Sequence, residues 1–523
     1  MASLRQTLLL VIAVVFPGAS VALAEWRTDA GYYVLGAELG DALPTGEGIP
    51  IFQCEADADG KGGAPYIYLP QASAVTPFAG TGHFSGKTFH ALGGTGDASG
   101  HADSVCNTFC SAASISQGVS TVYMHEALQF FNGVIGGSSP PTFGGSVQNH
   151  SWIAFPENAA EAELMKDMLR RYDFMLDRDG ILGVVALNNG IGAVPHLMAP
   201  SYNAICAGVR SGNHSTSGTL SDQDGPGRMK PDLVVDQDYT SLAAPSIASA
   251  AAMLYDAIRP GLPDADHPQA VKAILLAGAS KKNLPSWQRD VSTEPYDDVF
   301  GAGELNVLNA YHILAAGRQM HSSSAEVAPL GWDFTTSSST TTRRYFFTVP
   351  LGHMANTFSA ALTWHRNIQD TTFTSTVPDL TLKLYASTAF TPSAEPIDQS
   401  NSGVDNVEHL FLRNLPPGQY MLEVASDTDG QPYALAWEAQ IGSGPVTTPR
   451  RDAGGNVLID FTDLDPFVTY TVETSAMLGS TSWSSAGTFR TADESASTSY
   501  TWQDAATPYP AARFYRLRWN AVR

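Results

Sequence analysis

Ser241 stands where a loop turns into a helix. The segment Asp238-Tyr-Thr-Ser-Leu-Ala-Ala-Pro-Ser-Ile-Ala-Ser-Ala-Ala-Ala-Met-Leu254 sets it ahead of an alanine-rich run, with Pro245 expected in the first turn. A hydroxyl in that place is suited to nucleophilic attack, because the positive end of a helix favours a developing alkoxide or oxyanion. Small alanines let such a helix lie close against its neighbours. The same residues also describe an ordinary capped, tightly packed helix. Chemistry at Ser241 therefore needs partners: a base, an acid that orients the base, and a donor for the oxyanion. The chain has 13 histidines from which a base could come. Metal-assisted hydrolysis has less to draw on. No His-Glu-x-x-His occurs, and His125-Glu126 is followed by Gln129 where a second histidine would be needed. Cys106 and Cys110 have no CxxC pair beside them, so a zinc knuckle is not indicated.

The elements that must carry these side chains change character along the chain. Between residues 25 and 320, β-like runs (Ile49–Cys54, Ile181–Leu187, Ala204–Val209) alternate with helix-like runs (Ala159–Leu176, Pro245–Ile258, Pro268–Ala279, Asn306–Ala316). Such alternation predicts an α/β domain with a mostly parallel sheet flanked by helices. From about residue 321 the runs are short, Thr- and aromatic-rich and separated by Pro, Gly, Asp or Asn: Phe346–Val349, Phe358–Trp364, Leu380–Ala386, Glu408–Leu412, Tyr420–Val424 and Tyr433–Trp437. That texture predicts an all-β sandwich over 321–442. A Gly-Ser-Gly-Pro linker at 442–445 then leads to a small β module over 443–523, with strands near Val457–Phe461, Val468–Glu473, Trp483–Arg490 and Phe514–Trp519.

Composition narrows the function classes. The 523 residues carry a formal net charge of −22, with 15% charged and 10% aromatic residues. A surface that acidic is repelled by phosphate backbones, so nucleic acid is not expected as a partner. The aromatic content argues against a disordered acidic chain and the low charge content against a coiled coil. Residues 1–24 read as a cleaved signal peptide: Arg5, an apolar run Leu8–Phe16, a break at Pro17-Gly18 and the small-x-small site Ala22-Leu23-Ala24. No later stretch reads as a membrane span. Export to an extracellular, periplasmic or cell-surface location is expected, which permits disulfides. Cys54, Cys106, Cys110 and Cys206 allow three pairings, and buried free thiols are equally compatible.

Thr240-Ser241-Leu242-Ala243-Ala244-Pro245, preceded by Lys230-Pro231-Asp232-Leu233-Val234, resembles the nucleophile region of the subtilisin-like serine proteases. That resemblance implies a subtilisin-like α/β fold and the chain order acid, histidine, asparagine, serine. Ser99-Gly100-His101-Ala102-Asp103 is similar to the family's histidine helix start and implies His101 as general base. Gly183-Val-Val-Ala-Leu-Asn-Asn189-Gly190 resembles the strand end that carries the oxyanion amide and implies Asn189, with Asn188 where the family has glycine. Ser151-Trp152 looks like the edge that pairs with extended substrate, Trp152 lining a pocket. Gly46-Glu-Gly-Ile-Pro-Ile-Phe-Gln-Cys-Glu55 resembles the opening strand and sets Glu55 where the family has Asp, with Asp57 or Asp59 as alternatives for the acid, or as a turn near calcium.

The chain departs from the family at Tyr239 (usually Gly), at Ser246 (usually His) and in the short spacing between Asp232 and Ser241. No folded inhibitory segment fits between Glu25 and Thr45. Ser359-Ala-Ala-Leu-Thr-Trp364, Pro378-Asp-Leu-Thr-Leu-Lys-Leu384, Asp405-Asn-Val-Glu408 and Pro417-Gly-Gln-Tyr420 resemble a β-sandwich that follows the protease in some members. The third module resembles small β modules of secreted bacterial proteins and implies cell-surface contact. The expectation is a secreted bacterial serine endopeptidase with Glu55, His101, Ser241 and Asn189 as its machinery and protein or peptide substrates. It needs no cofactor for chemistry, and structural calcium is compatible with the resemblance. The alternative is an inactive homologue that serves as a secreted binding or surface protein.

Overall fold

Four short runs, Ile51–Glu55, Val147–His150, Leu182–Ala186 and Ile205–Val209, are buried at every residue. A strand can be so only inside a sheet covered on both faces. The computed structural model describes residues 26–56, 67–92, 96–137, 139–258, 262–462, 464, 468–476, 482–491, 499–505 and 513–522. Its first half is built on one eight-stranded sheet, numbered in chain order: β1 (Ile51–Glu55), β2 (Phe78–Ala79), β3 (Thr88–Ala91), β4 (Thr121–Glu126), β5 (Val147–His150), β6 (Leu182–Ala186), β7 (Ile205–Val209) and β8 (Leu233–Val235). The spatial order is β8-β7-β6-β5-β1-β4-β3-β2, and all neighbours are parallel except β2 and β3. Strands β2 to β4 lie to one side of β1, and β5 to β8 follow one another to the other side. The crevice beyond the carboxyl ends of such central strands is where open α/β sheets bind ligands.

Among the described residues, six helices of eight residues or more surround the sheet: α1 (Tyr32–Leu39), α2 (Gly100–Cys110), α3 (Ala159–Asp179), α4 (Thr240–Ala257), α5 (Pro268–Ala277) and α6 (Val307–Ala315). Side chains alternate across the strands. Ile51, Val122, Val147 and Val184 enter the core shared with α2, α4, α5 and α6, whereas Phe52, Cys54 and Val185 enter the core under α3. By the same alternation Gln53 and Glu55 lie on the face of α2 and α4. At the far end of α4, about 22 Å from Ser241 at 1.5 Å per residue, the Asp256 carboxylate accepts the N–H groups of Thr45, Gly46 and Glu47 at 2.7, 3.0 and 3.2 Å. The segment entering β1 is thus held away from the crevice.

The second half is antiparallel, as expected. One sheet runs Leu330–Thr336, Pro432–Ser443, His353–Trp364, Val407–Leu415, and the other runs Arg343–Val349, Gly418–Ser426, Leu380–Thr388 with two short additions. Their facing side chains form a separate core that includes Phe347, Phe358, Trp364 and Trp437. Two three-stranded sheets follow over the last 80 residues or so, with their own core that takes in Met354 from the sandwich. The expected 442–445 linker is short: one strand ends at Ser443 and the next begins at Val446. Sandwich and first half meet through buried polar contacts. Arg366 Nε lies 2.7 Å from Asp173 Oδ2, Asn406 Nδ2 donates to Tyr202 O at 2.9 Å, and Met229 N donates to Asp405 Oδ1 at 3.0 Å. All ten residues of α5 are buried, because it lies between the parallel sheet's core and the sandwich strands His353–Trp364 and Pro432–Ser443. All four cysteines are free and buried. Among the described residues no helix is long and apolar enough to cross a membrane.

Candidate active site

Glu55 closes β1 with only 1% of its surface exposed, and a carboxylate so enclosed needs hydrogen-bond donors. It has two. His101 Nδ1 lies 2.7 Å from Oε2, and Gln53 Nε2 donates to Oε1 at 2.7 Å. The same Gln53 amide donates to Ala102 O at 3.2 Å, tying strand β1 to the first turn of α2. His101 is the second residue of that helix, and the Ser99 hydroxyl caps it by accepting from Ala102 N at 3.4 Å. With a carboxylate against Nδ1, the neutral imidazole carries its proton there and leaves Nε2 as the acceptor. The alternative acids Asp57 and Asp59 lie outside the described residues.

Ser241 is the second residue of α4, which packs against α2, and both Ser241 and His101 are 8% exposed. Its N–H is among the first four of the helix, which have no acceptor within it. Helix α4 begins at Thr240, so Pro245 is its sixth residue and not part of the first turn as expected. Tyr239, where the resembled family has glycine, is the N-cap at φ −138° and ψ 144°. That is ordinary extended backbone, and the replacement brings no strain. Ser246 donates to Leu242 O at 2.8 Å and accepts from Gln237 Nε2 at 3.1 Å, a purely internal pairing.

Asn189 lies three residues beyond β6, exposed, in an isolated antiparallel bridge to His214. Its Oδ1 accepts from Thr240 N and from Thr240 Oγ1, each at 2.9 Å. The oxygen end of the amide is therefore anchored beside Ser241, and the NH2 end is left to donate elsewhere. Asn188 instead gives its carbonyl to Ser215 N at 3.2 Å, so the doublet has separate duties. Ser151 follows β5 and donates from Oγ to Ser241 O at 2.9 Å. Alternation sends its neighbour to the other side. Trp152 is only 1% exposed in the core under α3, so it does not line an open pocket as expected.

Three contributing side chains escaped sequence reasoning as site residues: Gln53, Asn149 and Thr240. Gln53 and Asn149 are fully buried and adjacent in register on β1 and β5. A polar residue two positions before a candidate acid, on a strand otherwise apolar, was the available signal. His125 and His150 lie on the α3 face, opposite Glu55. Burial holds His150 down to about 3, with the charge of His125 adding to the effect. Neither is placed to serve Ser241. Among the described residues, no group of three or more His, Cys, Asp or Glu side chains is placed to hold a metal ion.

No family model matches the chain, and no curated protein matches it significantly. Solved structures of proteases do match. The prenylagaramide maturation protease PagA is 18% identical with a TM-score of 0.32, over 50% of this chain and 93% of that one. A lanthipeptide protease is 15% identical with a TM-score of 0.35, over 56% of this chain and 96% of its own. Tripeptidyl peptidase 2 is 11% identical with a TM-score of 0.27, over 72% of this chain and 43% of its own.

Proposed function

We propose that the chain is a secreted serine endopeptidase that hydrolyses peptide bonds through Ser241, His101 and Glu55. The observation that carries this is the buried 2.7 Å bond between Glu55 Oε2 and His101 Nδ1, at the start of a helix that packs on the helix of Ser241. A carboxylate on Nδ1 serves to fix one tautomer and to stabilise the imidazolium. Ser241 Oγ attacks the peptide carbonyl while His101 Nε2 takes its proton. The same nitrogen returns the proton to the leaving amine, and water then hydrolyses the acyl-enzyme by the reverse use of His101. The oxyanion receives the Ser241 N–H and the Asn189 NH2, the latter aimed by the anchoring of Oδ1 on Thr240. Export follows from residues 1–24, which lie outside the described residues. The last β module is assigned to contact with the cell surface.

A fluorophosphonate probe on the purified protein tests the assignment, with Ser241→Ala and His101→Ala as controls and casein as substrate. Labelling at neutral to alkaline pH that disappears in both variants, with casein cleavage, is expected. A wild type that neither labels nor cleaves casein would leave an inactive scaffold with a binding or surface role.

A further inference from the structure

Pro245 creates a vacancy in its own helix. It is the sixth residue of α4 and has no N–H, so the carbonyl four residues before it lacks the N–H that a helix ordinarily supplies there. That carbonyl belongs to Ser241. The Ser151 hydroxyl fills the position at 2.9 Å. Ser151 is 4% exposed and in turn accepts from Asn149 Nδ2 at 3.0 Å. With an N–H occupying its oxygen, the single hydroxyl proton is directed to Ser241 O.

The arrangement mirrors the one on the neighbouring strand. Gln53 and Asn149 are register partners on β1 and β5. The Gln53 amide holds Glu55 and the first turn that carries His101, whereas the Asn149 amide holds Ser151 and through it the first turn that carries Ser241. Two side chains level with each other on adjacent strands of one sheet thus set both halves of the triad.

We propose that Ser151 is a positioning residue: its hydroxyl, aimed by Asn149, supplies the hydrogen bond that Pro245 withholds and fixes Ser241 Oγ and N–H relative to His101. This rests on the proposed serine chemistry and replaces the substrate-edge role expected for the Ser151 side chain. Removing the bond lets the first turn drift, and misplacement of reacting groups by about 1 Å costs on the order of 100-fold in rate.

A four-member cycle tests this: wild type, Ser151→Ala, Pro245→Ala and the double variant, with Ser151→Thr as the conservative control. The readouts are the second-order rate of fluorophosphonate labelling, kcat and KM on a chromogenic peptide, and thermal melting. Ser151→Ala is expected to label and turn over about 10- to 100-fold more slowly with KM unchanged. Ser151→Thr keeps the hydroxyl and most of the rate. Pro245→Ala stays near wild type, and the double variant recovers most of the loss, because alanine brings its own N–H to Ser241 O. Rates within twofold of wild type for Ser151→Ala, a rise in KM at constant kcat, or a double variant no faster than Ser151→Ala each overturn the assignment while leaving the protease intact. A wild type without Ser241-dependent labelling overturns both.

Discussion

Glu55→Gln keeps the shape of the acid and removes its charge, and the surrounding hydrogen bonds dictate how it fails. The carboxylate now accepts from two donors, Gln53 Nε2 and His101 Nδ1. An amide at position 55 can satisfy one of them and must present NH2 to the other. If its oxygen keeps facing Gln53, its NH2 faces Nδ1 and drives the imidazole proton to Nε2, the nitrogen that has to accept from Ser241. If it turns its oxygen to His101, Gln53 must flip as well and give up its bond to Ala102 O. A lost buried bond of that kind costs about 1–3 kcal/mol, so the productive tautomer falls about 5- to 150-fold. Loss of the charge-assisted bond to the imidazolium costs about 1.5–3 kcal/mol more. Together the losses come to about 10²–10⁴ in kcat, and the loss typical of a carboxylate-to-amide change in a serine protease triad, about 10⁴, lies at the upper end. Steady-state kinetics on a chromogenic peptide measure this, with Gln53→Leu added as a second step. Removing the Gln53 amide frees the glutamine at 55 to turn, so Gln53→Leu/Glu55→Gln is expected to be faster than Glu55→Gln alone. A loss below threefold for Glu55→Gln, or a larger loss for Asp57→Asn, would refute the assignment of the acid.

Asn189→Ala is expected to lower kcat about 10²–10³-fold with little change in KM, and Thr240→Val, which keeps the backbone N–H but loses one anchor of the amide, to lower it less. Both are read by steady-state kinetics. Stability should respond to pH through two buried groups of opposite sign. Burial raises Asp405 from 3.8 to about 6, so the folded state holds the extra proton and stability falls by about 2–3 kcal/mol as pH rises through that window. His150, held down to about 3, gives stability that rises with pH between about 3 and 6.5. Melting curves from pH 4 to 7 should therefore steepen upward with pH in Asp405→Asn and lose that rise in His150→Phe; identical pH profiles for both variants would contradict the assignment. Arg366→Ala leaves Asp173 buried without its paired cation, while Asp224 keeps Arg170 at 2.6 Å, at a cost of about 3–5 kcal/mol, seen as a lowered melting temperature.

Much of this architecture was legible in the sequence because burial and alternation leave a direct trace. The runs at Ile181–Leu187 and Ala204–Val209 read as strands because a doubly covered strand is apolar at every position. The sandwich strands read from their Thr- and aromatic-rich alternation between turn residues. Strand β4 escaped notice: Thr121–Glu126 ends in Met-His-Glu, and its burial comes from neighbours distant in sequence. At the site, the pairing of Glu55 with His101 was expected from their place in the chain order. The bracing by Gln53 and Asn149 was not, because glutamine and asparagine carry no pattern that separates a buried amide from an exposed one. Trp152 and Pro245 show the other limit. A shift of one residue in a strand changes which face a side chain takes, and a helix start five residues earlier moves Pro245 out of the first turn.

Helix α5 has no side turned to water. An α/β layer ordinarily ends in a helix whose outer face is polar, but Pro-Gln-Ala-Val-Lys-Ala-Ile-Leu-Leu-Ala would offer solvent a greasy strip if the chain stopped after residue 320. The parallel-sheet half and the sandwich therefore share this buried helix, although composition separates them. During synthesis Glu55, His101 and Ser241 are all made long before the strand Pro432–Ser443 that shelters α5. A chain trimmed at the compositional boundary would expose this helix, and any redesign of the sandwich must keep the face that shelters it.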